Sequence, residues 1–539
     1  MRPRILVGAL VGFLAAAPLT ALLYLAWRLL STPFTPFDLF DRLARALPGP
    51  LVTFGIDGLV TVLRWVAPGS VAELAKPAEQ VLAVAIFAVL LTLLGAAVFA
   101  VGRHGPGWGS RTALGAGALA GLGAIGLAWA GGVSLASEPA GAAWLLLAFL
   151  AWGAAVGWSW RRLAAATPDA ERDAEAVRLD RRRFLVRLGS ATAVLTAAGA
   201  GVGALIDRAE EEAQLPAAAQ GGPEPWSATH RLPNAGADLA PAPGTRPELT
   251  PLDDHYRIDI NTISPDVDGS RWRLRVHGLV DAPQAYTLED LRAFPALDQF
   301  VTLACISNRI AGDLISTQRW TGVSLQALLP AWGLADEATH LLLTAADGFF
   351  EVVALDEIRD DPRAMLAYAW DGLPLRREHG FPLRIYLPDR YGMKQPKWIE
   401  SIEVLDHWRA GYWVERGWSR EAIMKATSVI DTVATDSLVQ RDGRTLVPIG
   451  GIAHAGVRGI SRVEVQVDDG PWEEARLRPP LSRQTWTIWR FDWPFAEGDH
   501  TFAVRCTDGE GTMQVVEPSS VRPDGATGMH RVRRQVQRS

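Results

Sequence analysis

Residues 301–322 read VTLACISNRIAGDLISTQRWTG, and they hold Cys305, one of only two cysteines in 539 residues. An apolar, strand-like run ends at this cysteine and a polar loop begins, which places a thiol where a strand gives way to a loop. The other cysteine, Cys506, is distant in sequence, and the chain has no C-x-x-C or C-x-x-C-H. The chain alone therefore offers no cysteine set for a zinc site, an iron–sulfur cluster or a c-type haem. Any redox chemistry must rest on something else. Taken singly, Cys305 reads as a small core hydrophobe; its surroundings decide otherwise below.

Outward from this stretch the chain divides. Ala, Leu, Val and Gly are concentrated before about residue 206, and the formal net charge of −6 gives no reason to expect a nucleic acid. A bilayer span needs about 20 mainly apolar residues. Ile5–Trp27, Val81–Val101, Ala113–Leu135 and Ala140–Trp160 meet this directly, and Leu188–Ile206 is a shorter fifth span. Leu51–Val66 is apolar but carries Asp57 and Arg64, and reads as interfacial or re-entrant. Arg2, Arg4, Arg103, Arg111 and the basic stretch before Leu188 put those loops inside, so five spans leave the rest of the chain outside. The fifth span opens DRRRFLVRLGS, where Arg181, Arg182, Phe184 and Leu185 precede a weakly hydrophobic segment. This resembles a twin-arginine export signal retained as an anchor, and that route suits proteins that fold around a cofactor before export. His104 is the only histidine in this region, so the spans lack facing histidines for a haem and read as an anchor or docking surface.

Residues 207–250, rich in Ala, Pro, Gly and Glu without apolar periodicity, read as a linker. From 251 to 424 the pattern is α+β. RWRLRVHGLV alternates as a strand, TLEDLRAF starts a helix capped by Thr287, and ATHLLLTAADGFFEVVAL predicts two strands about the Asp347–Gly348 turn. From 425 to 539 the pattern is all-β, with alternating runs separated by Gly, Asp and Pro turns as in a sandwich, and Cys506 falls at an inward, core position.

The motif TLACISNRIAGDLISTQRWTGVSLQALL resembles the cysteine loop of the sulfite oxidase family of molybdenum enzymes. REHGFPLRIYLPDRYGMKQPKWIESIEV resembles the same family's H-G-F-P-x-R and K-W segments, and the last domain resembles its immunoglobulin-like dimerisation domain. The resemblance covers about residues 251–535. It implies that Cys305 is the protein's ligand to molybdenum, a soft thiolate on a centre that one pterin also holds. Ser307, Asn308 and Arg309 would shape the loop or touch the pterin, and His379, Arg384, Lys394 and Lys397 would hold its phosphate. Tyr412, in DHWRAGYWVERGW, matches the family's active-site tyrosine. Asp259 stands in the place of a pterin-contacting Asn, and Arg522 would supply a substrate-pocket cation. The family's substrate Arg has no clear counterpart, Arg257 being offset by one, and the loop after Cys305 is short and lacks the Trp of a sulfite pocket.

These features lead to the expectation of a molybdopterin oxidoreductase on the outer face of a membrane, moving an oxygen atom to or from a small substrate. Its electrons would pass to a separate cytochrome or quinone-linked partner, and a homodimer would follow from the last domain. Sulfite oxidation and sulfoxide reduction are the two directions. The reading from another class is a non-catalytic surface protein that keeps the scaffold for binding.

Overall fold

The computed structural model describes residues 2–30, 32–66, 71–102, 108–130, 139–164, 182–198, 201–202 and 224–537. The chain forms two compact units, Met1–Gln220 with Asn261–Ile263, and Gly221–Ile260 with Ser264–Ser539.

The first unit is helical: α1 (Arg2–Leu30), α2 (Thr35–Ala46), α3 (Gly49–Val66), α4 (Val71–Val101), α5 (Trp108–Ala130) and α6 (Pro139–Ala164). Four stretches among the described residues are long and apolar enough to cross a membrane: Ile5–Leu30, Leu74–Val101, Trp108–Trp129 and Pro139–Leu163. Small residues let these helices approach closely, as is common where lipid removes the hydrophobic drive for helix association. A Cβ on Gly95 of α4 would lie 2.7 Å from the Cα of Gly12 in α1. Residues 182–198 are also helical. The end of the expected fifth span, like the twin arginine's Arg181 and the lone His104, lies outside the described residues. Leu51–Val66 falls within the 18-residue α3.

In the second unit, the α+β part contains β1 (Leu274–Gly278), β2 (Gln284–Tyr286), α7 (Leu288–Arg292), β3 (Ala296–Ala304), β4 (Ile315–Ser324), α8 (Leu325–Trp332), β5 (His340–Ala345), β6 (Phe350–Ala354), α9 (Leu355–Asp360), β7 (Met365–Trp370), β8 (Leu373–Pro374), β9 (Arg384–Tyr386) and β10 (Ile399–Leu405). One sheet runs β2-β1-β10-β5-β6, and a second runs β3-β4-β7-β8 with β9 on β7. β1 pairs with β10 in parallel, from Arg275 on Ser401 to Gly278 on Val404, closing the domain's beginning against its end. The expected local signals form as read. Thr287 and Asp290 make a reciprocal capping box on α7, and Asp347 accepts from Phe349 N across the β5–β6 turn. The apolar faces of β1, β5, β10, α8 and α9 share one core around Leu274, Trp332, Leu343, Ile358 and Ile402.

The rest of the unit is two antiparallel sheets with a common interior. The first runs β11 (Thr427–Val433), β13 (Arg444–His454), β17 (Thr487–Pro494) and β16 (Arg476–Leu477), with β12 (Val439–Arg441) on β13. The second runs β15 (Trp472–Glu474), β14 (Ile460–Val467), β18 (Gly498–Asp508) and β19 (His530–Val536). Val447, Ile449 and Trp489 of the first meet Val463, Phe502 and Cys506 of the second. Cys506 is a buried core thiol, free of any disulfide.

Polar contacts join the two parts. Arg458 holds Asp389 through two bonds of 2.8 and 2.9 Å, Asp508 at 3.1 Å and the Met424 carbonyl at 2.6 Å. The 482–486 loop seals the edge of β3: Ser482 Oγ donates to Phe300 O at 2.6 Å, and Trp486 N donates to Thr302 Oγ1 at 2.8 Å. The strand that delivers Cys305 is thus braced from the sandwich side. Residues 226–250 of the linker pack along this unit as a strap. Arg478 donates to the carbonyls of Asn234, Ala237 and Leu239, Arg246 forks onto Asp431, and Ser227 bonds Asp371. These bonds are to backbone carbonyls and single carboxylates, so the strap needs no apolar periodicity.

Candidate active site

Cys305 is the first residue beyond β3 and is 7% exposed. Its Sγ lies 2.9 Å from Ser307 Oγ, its N–H donates to Leu314 O at 2.9 Å, and its carbonyl accepts from Asn308 N at 3.0 Å. Asn308 Oδ1 in turn accepts from Leu314 N at 3.0 Å, so this side chain closes the loop on itself. Burial raises the thiol's pKa above its ordinary value, and the Ser307 hydrogen bonds pull the other way. The group is therefore a protonated thiol at neutral pH, and a bound metal would take the proton's place.

His255, the residue before Tyr256, belongs to a buried set of cationic and imidazole side chains. Arg384, on β9, is 6% exposed, donates to His379 O at 3.2 Å and stands 4.8 Å over the Trp320 ring. His379 and His255 have ring centroids 5.1 Å apart, with Trp370 4.6 Å from His379. Lys397 reaches Asp259 Oδ2 at 3.4 Å and Glu378 O at 2.8 Å, and Arg257 Nε reaches the same Asp259 oxygen at 3.1 Å. Burial pushes Arg384 down to about 10, Lys397 down to about 8 and His255 down to about 3, and it holds His379 well below its ordinary value. For both histidines, neighbouring cations push further in the same direction. Asp259 and Asp347 act on Lys397, while the leading influence on Arg384 and on both histidines is burial, and His255 Nε2 is buried with no hydrogen-bond partner. Such an arrangement is costly unless an anion completes it. A terminal phosphate fits this donor set, and a thiol at the end of β3 fits a soft metal.

Tyr256 links the two halves. Its hydroxyl lies 2.8 Å from where a Cβ on Gly392 would stand, and Ala304 O lies 3.5 Å from that point. Only a glycine leaves this space beside the cysteine strand. Burial raises the phenol's pKa, and both Cys305 and Arg384 are near enough to act on its charge.

The structure therefore places Ser307 on the Cys305 sulfur, brings His379, Arg384, Lys397 and Asp259 together with His255, and sets both Cys305 and Arg384 near Tyr256. Lys394 does otherwise: its ammonium is committed to Glu351 at 2.7 Å, an ion pair whose side chains are 7% and 0% exposed. Tyr412 packs on Phe349 and Phe350, with Arg416 3.6 Å from its ring centroid. Its neighbour Trp413 packs both on that cluster and on the one containing Ala304 and Ile306. Arg522 lies 5.0 Å over Trp418, and the adjoining Val521 packs on the same Ala304–Ile306 cluster. Arg309 is exposed on the loop. Sequence reasoning missed His255, Tyr256 and Glu351. The first two lie in an irregular segment, and Glu351 lies on a strand whose central residues are all buried.

Residues 261–413 match the family described as the oxidoreductase molybdopterin binding domain. The chain is 33% identical over 151 residues to the uncharacterized oxidoreductase YuiH of Bacillus subtilis, covering 28% of this chain and 74% of that one. It is 27% identical over 303 residues to the mitochondrial sulfite oxidase of Homo sapiens, covering 48% of this chain and 55% of that one. A third relative is YedZ1 of Azospira oryzae, named as a candidate protein-methionine-sulfoxide reductase subunit. It is 29% identical over 154 residues, covering 29% of this chain and 56% of that one. The chain thus spans about half the length of the sulfite oxidase it matches. The class is that of molybdopterin-binding oxidoreductases. Within it, the chain belongs to the sulfite oxidase family.

Proposed function

We propose that this enzyme, anchored by its apolar helices, transfers an oxygen atom to or from a small sulfur-containing substrate. The observation that carries the reading is a buried thiol and a buried set of cations and imidazoles that both act on Tyr256, with His255 Nε2 left without a hydrogen-bond partner. When bound, the molybdenum cofactor supplies a metal that exchanges oxygen and electrons with the substrate. Cys305 would hold that metal through its thiolate, with Ser307 steadying the sulfur by its hydroxyl. Arg384, Lys397, His255 and His379 would hold the phosphate of the pterin, and Asp259 would keep Lys397 and Arg257 in place. Tyr412 and the loop of Arg522 would flank the substrate, Arg522 as a cation for an anionic one.

The remaining parts of the reading follow the sequence. The Arg181–Arg182 motif would export the folded, loaded protein, leaving its catalytic unit on the extracytoplasmic side. Electrons would pass to or from a cytochrome or quinone-linked partner. The two-sheet domain would be immunoglobulin-like and a surface for homodimerisation. Arg257 is engaged by Asp259 and by Ser264 Oγ at 3.1 Å, which leaves the pocket less suited to sulfite than a free arginine would. That favours sulfoxide reduction as the second reading, in line with the name of one relative. Assaying the molybdenum-loaded protein against sulfite and a panel of sulfoxides with artificial electron carriers separates the two. Turnover of neither class would overturn the proposal.

A further inference from the structure

The buried ion pair of Lys394 and Glu351 joins two parts of the fold that carry different ends of the proposed site. One part is the Gly392–Lys394 turn. A Cβ on Gly392 would come within 3.5 Å of Ala304 O, next to Cys305, and Met393 packs in the cluster of Ala304 and Ile306. The other part is β6, the edge strand of its sheet. Phe350 O on β6 accepts from Tyr412 N at 3.0 Å. The Glu351 carboxylate lies against Gly411, where an added Cβ would stand 2.1 Å from Oε1 and 2.6 Å from Oε2. Contacts thus run from the strand that ends at Cys305, through Met393, Lys394 and Glu351, to Tyr412. Lys394 Nζ donates to Glu351 Oε1 at 2.7 Å, and Val352 N donates to the same oxygen at 2.9 Å. Oε2 is buried with no hydrogen-bond partner. An ion pair so placed stabilises a fold no more than a well-packed apolar pair, and a half-satisfied carboxylate weakens it further. What a charge pair does that two methionines do not is hold one distance and direction. Arg416 holds the same tyrosine by its carbonyl, at 2.7 Å, and by its ring, 3.6 Å from the centroid. Tyr412 is therefore fixed at its N–H, its carbonyl and its ring, and the ion pair fixes the glycine before it.

We propose that Glu351 and Lys394 are positioning residues for Tyr412: the pair sets where the tyrosine stands relative to the Cys305 strand, and so governs turnover without touching substrate or cofactor. This rests on the reading of Tyr412 as a residue that flanks the substrate. Without the two charges, residues 411 and 412 settle differently on β6, and a displacement of about 1 Å at a reacting group lowers a rate by about a hundredfold. An interaction that matters only during the chemical step appears in kcat and leaves KM alone.

The test uses the full-length, detergent-purified protein labelled with fluorotyrosine and read by fluorine NMR. The chain has seven tyrosines, and the signal lost in Tyr412→Phe is that of Tyr412. In the double variant Glu351→Met with Lys394→Met, this signal should shift or broaden while those of Tyr286 on β2 and Tyr368 on β7 stay in place. Lys394→Arg, which keeps the charge pair, should return it toward the parent position. This readout needs no molybdenum. In loaded protein, the double variant should lose at least about tenfold in kcat, with KM within about threefold of the parent. Adding Tyr412→Phe to it should lower kcat by less than about twofold more, because the tyrosine is already out of place. An unmoved Tyr412 signal in the folded double variant overturns the positioning role, and a moved signal with unchanged kcat overturns its consequence for turnover. If the double variant fails to fold, Glu351→Asp, which keeps the charge but draws it back from Gly411, takes its place with the same two outcomes. If the loaded parent turns over neither sulfite nor a sulfoxide, the oxygen-transfer reading fails, and the fluorine signal still decides the positioning role.

Discussion

Arg384→Met separates the cost of the buried cation from its use. In the cofactor-free protein the guanidinium is buried, its pKa is pushed from 12.5 down to about 10, and desolvation is the leading cause. A displacement of that size, at about 1.4 kcal/mol per decade, means that holding the charge costs the fold on the order of 3 kcal/mol. Methionine fills much of the same volume without charge. It gives up the 4.8 Å stacking on Trp320 and the 3.2 Å bond to His379 O, together about 1–3 kcal/mol. The two contributions nearly offset, so the cofactor-free variant should be within about 2 kcal/mol of the parent, and no less stable at neutral pH. Loading should respond in the opposite way, with cofactor content per chain falling at least about tenfold, since a charge-assisted phosphate contact is removed. Urea melts of protein made in cofactor-deficient cells measure the first effect, and molybdenum and pterin analysis of protein from normal cells measures the second. A variant destabilised by several kcal/mol in the cofactor-free state that still loads fully would refute the reasoning, since Arg384 would then be a structural residue.

Two other expectations follow from the same balance of charge. Glu351→Gln leaves Lys394 buried without its 2.7 Å partner, and should cost about 3–5 kcal/mol. Replacing both residues by Met should recover most of that loss, and a double variant no better than the single one would contradict the pairing. His255 has a folded pKa near 3 and an ordinary value of 6.5. The unfolded chain therefore binds a proton that the folded one refuses as pH falls below about 6.5, and stability drops by up to about 1.4 kcal/mol per pH unit for this group. In cofactor-free protein, urea melts between about pH 7 and 5 should show this loss, and His255→Gln should make the slope shallower. An unchanged slope would show that His255 is free to protonate.

The legible part of the site came from residues held by short, ordered motifs. HGFPLR placed His379 and Arg384 on a turn and strand that carry both inward, and KW placed Lys397 beside them. Lys394 takes a different partner. It sits three residues before Lys397, but the Gly392–Lys394 turn sends it toward Glu351 on β6. Charge alone does not reveal such a turn. His255 and Tyr256 were hidden because residues 251–273 have little regular structure, so no period marks an inward face. β6 shows the converse problem. All three central residues of FEVVA are buried, so Glu351 reads as the polar side of an alternating strand when it lies inside. The strap at 226–250 escaped for a third reason: its hold comes from Arg478 and Asp431, which lie far along the chain. Where tertiary contacts rather than local period position a residue, sequence pattern carries little of it.

The central claim is that Cys305 is the protein's own ligand to molybdenum. X-ray absorption at the molybdenum edge, on loaded parent protein and on Cys305→Ser, tests it most directly. The account predicts that the variant still folds and still contains metal and pterin, because the Arg384–Lys397 cluster is untouched, but that the metal loses one sulfur neighbour and turnover stops. A variant with an unchanged sulfur shell around the metal would contradict it.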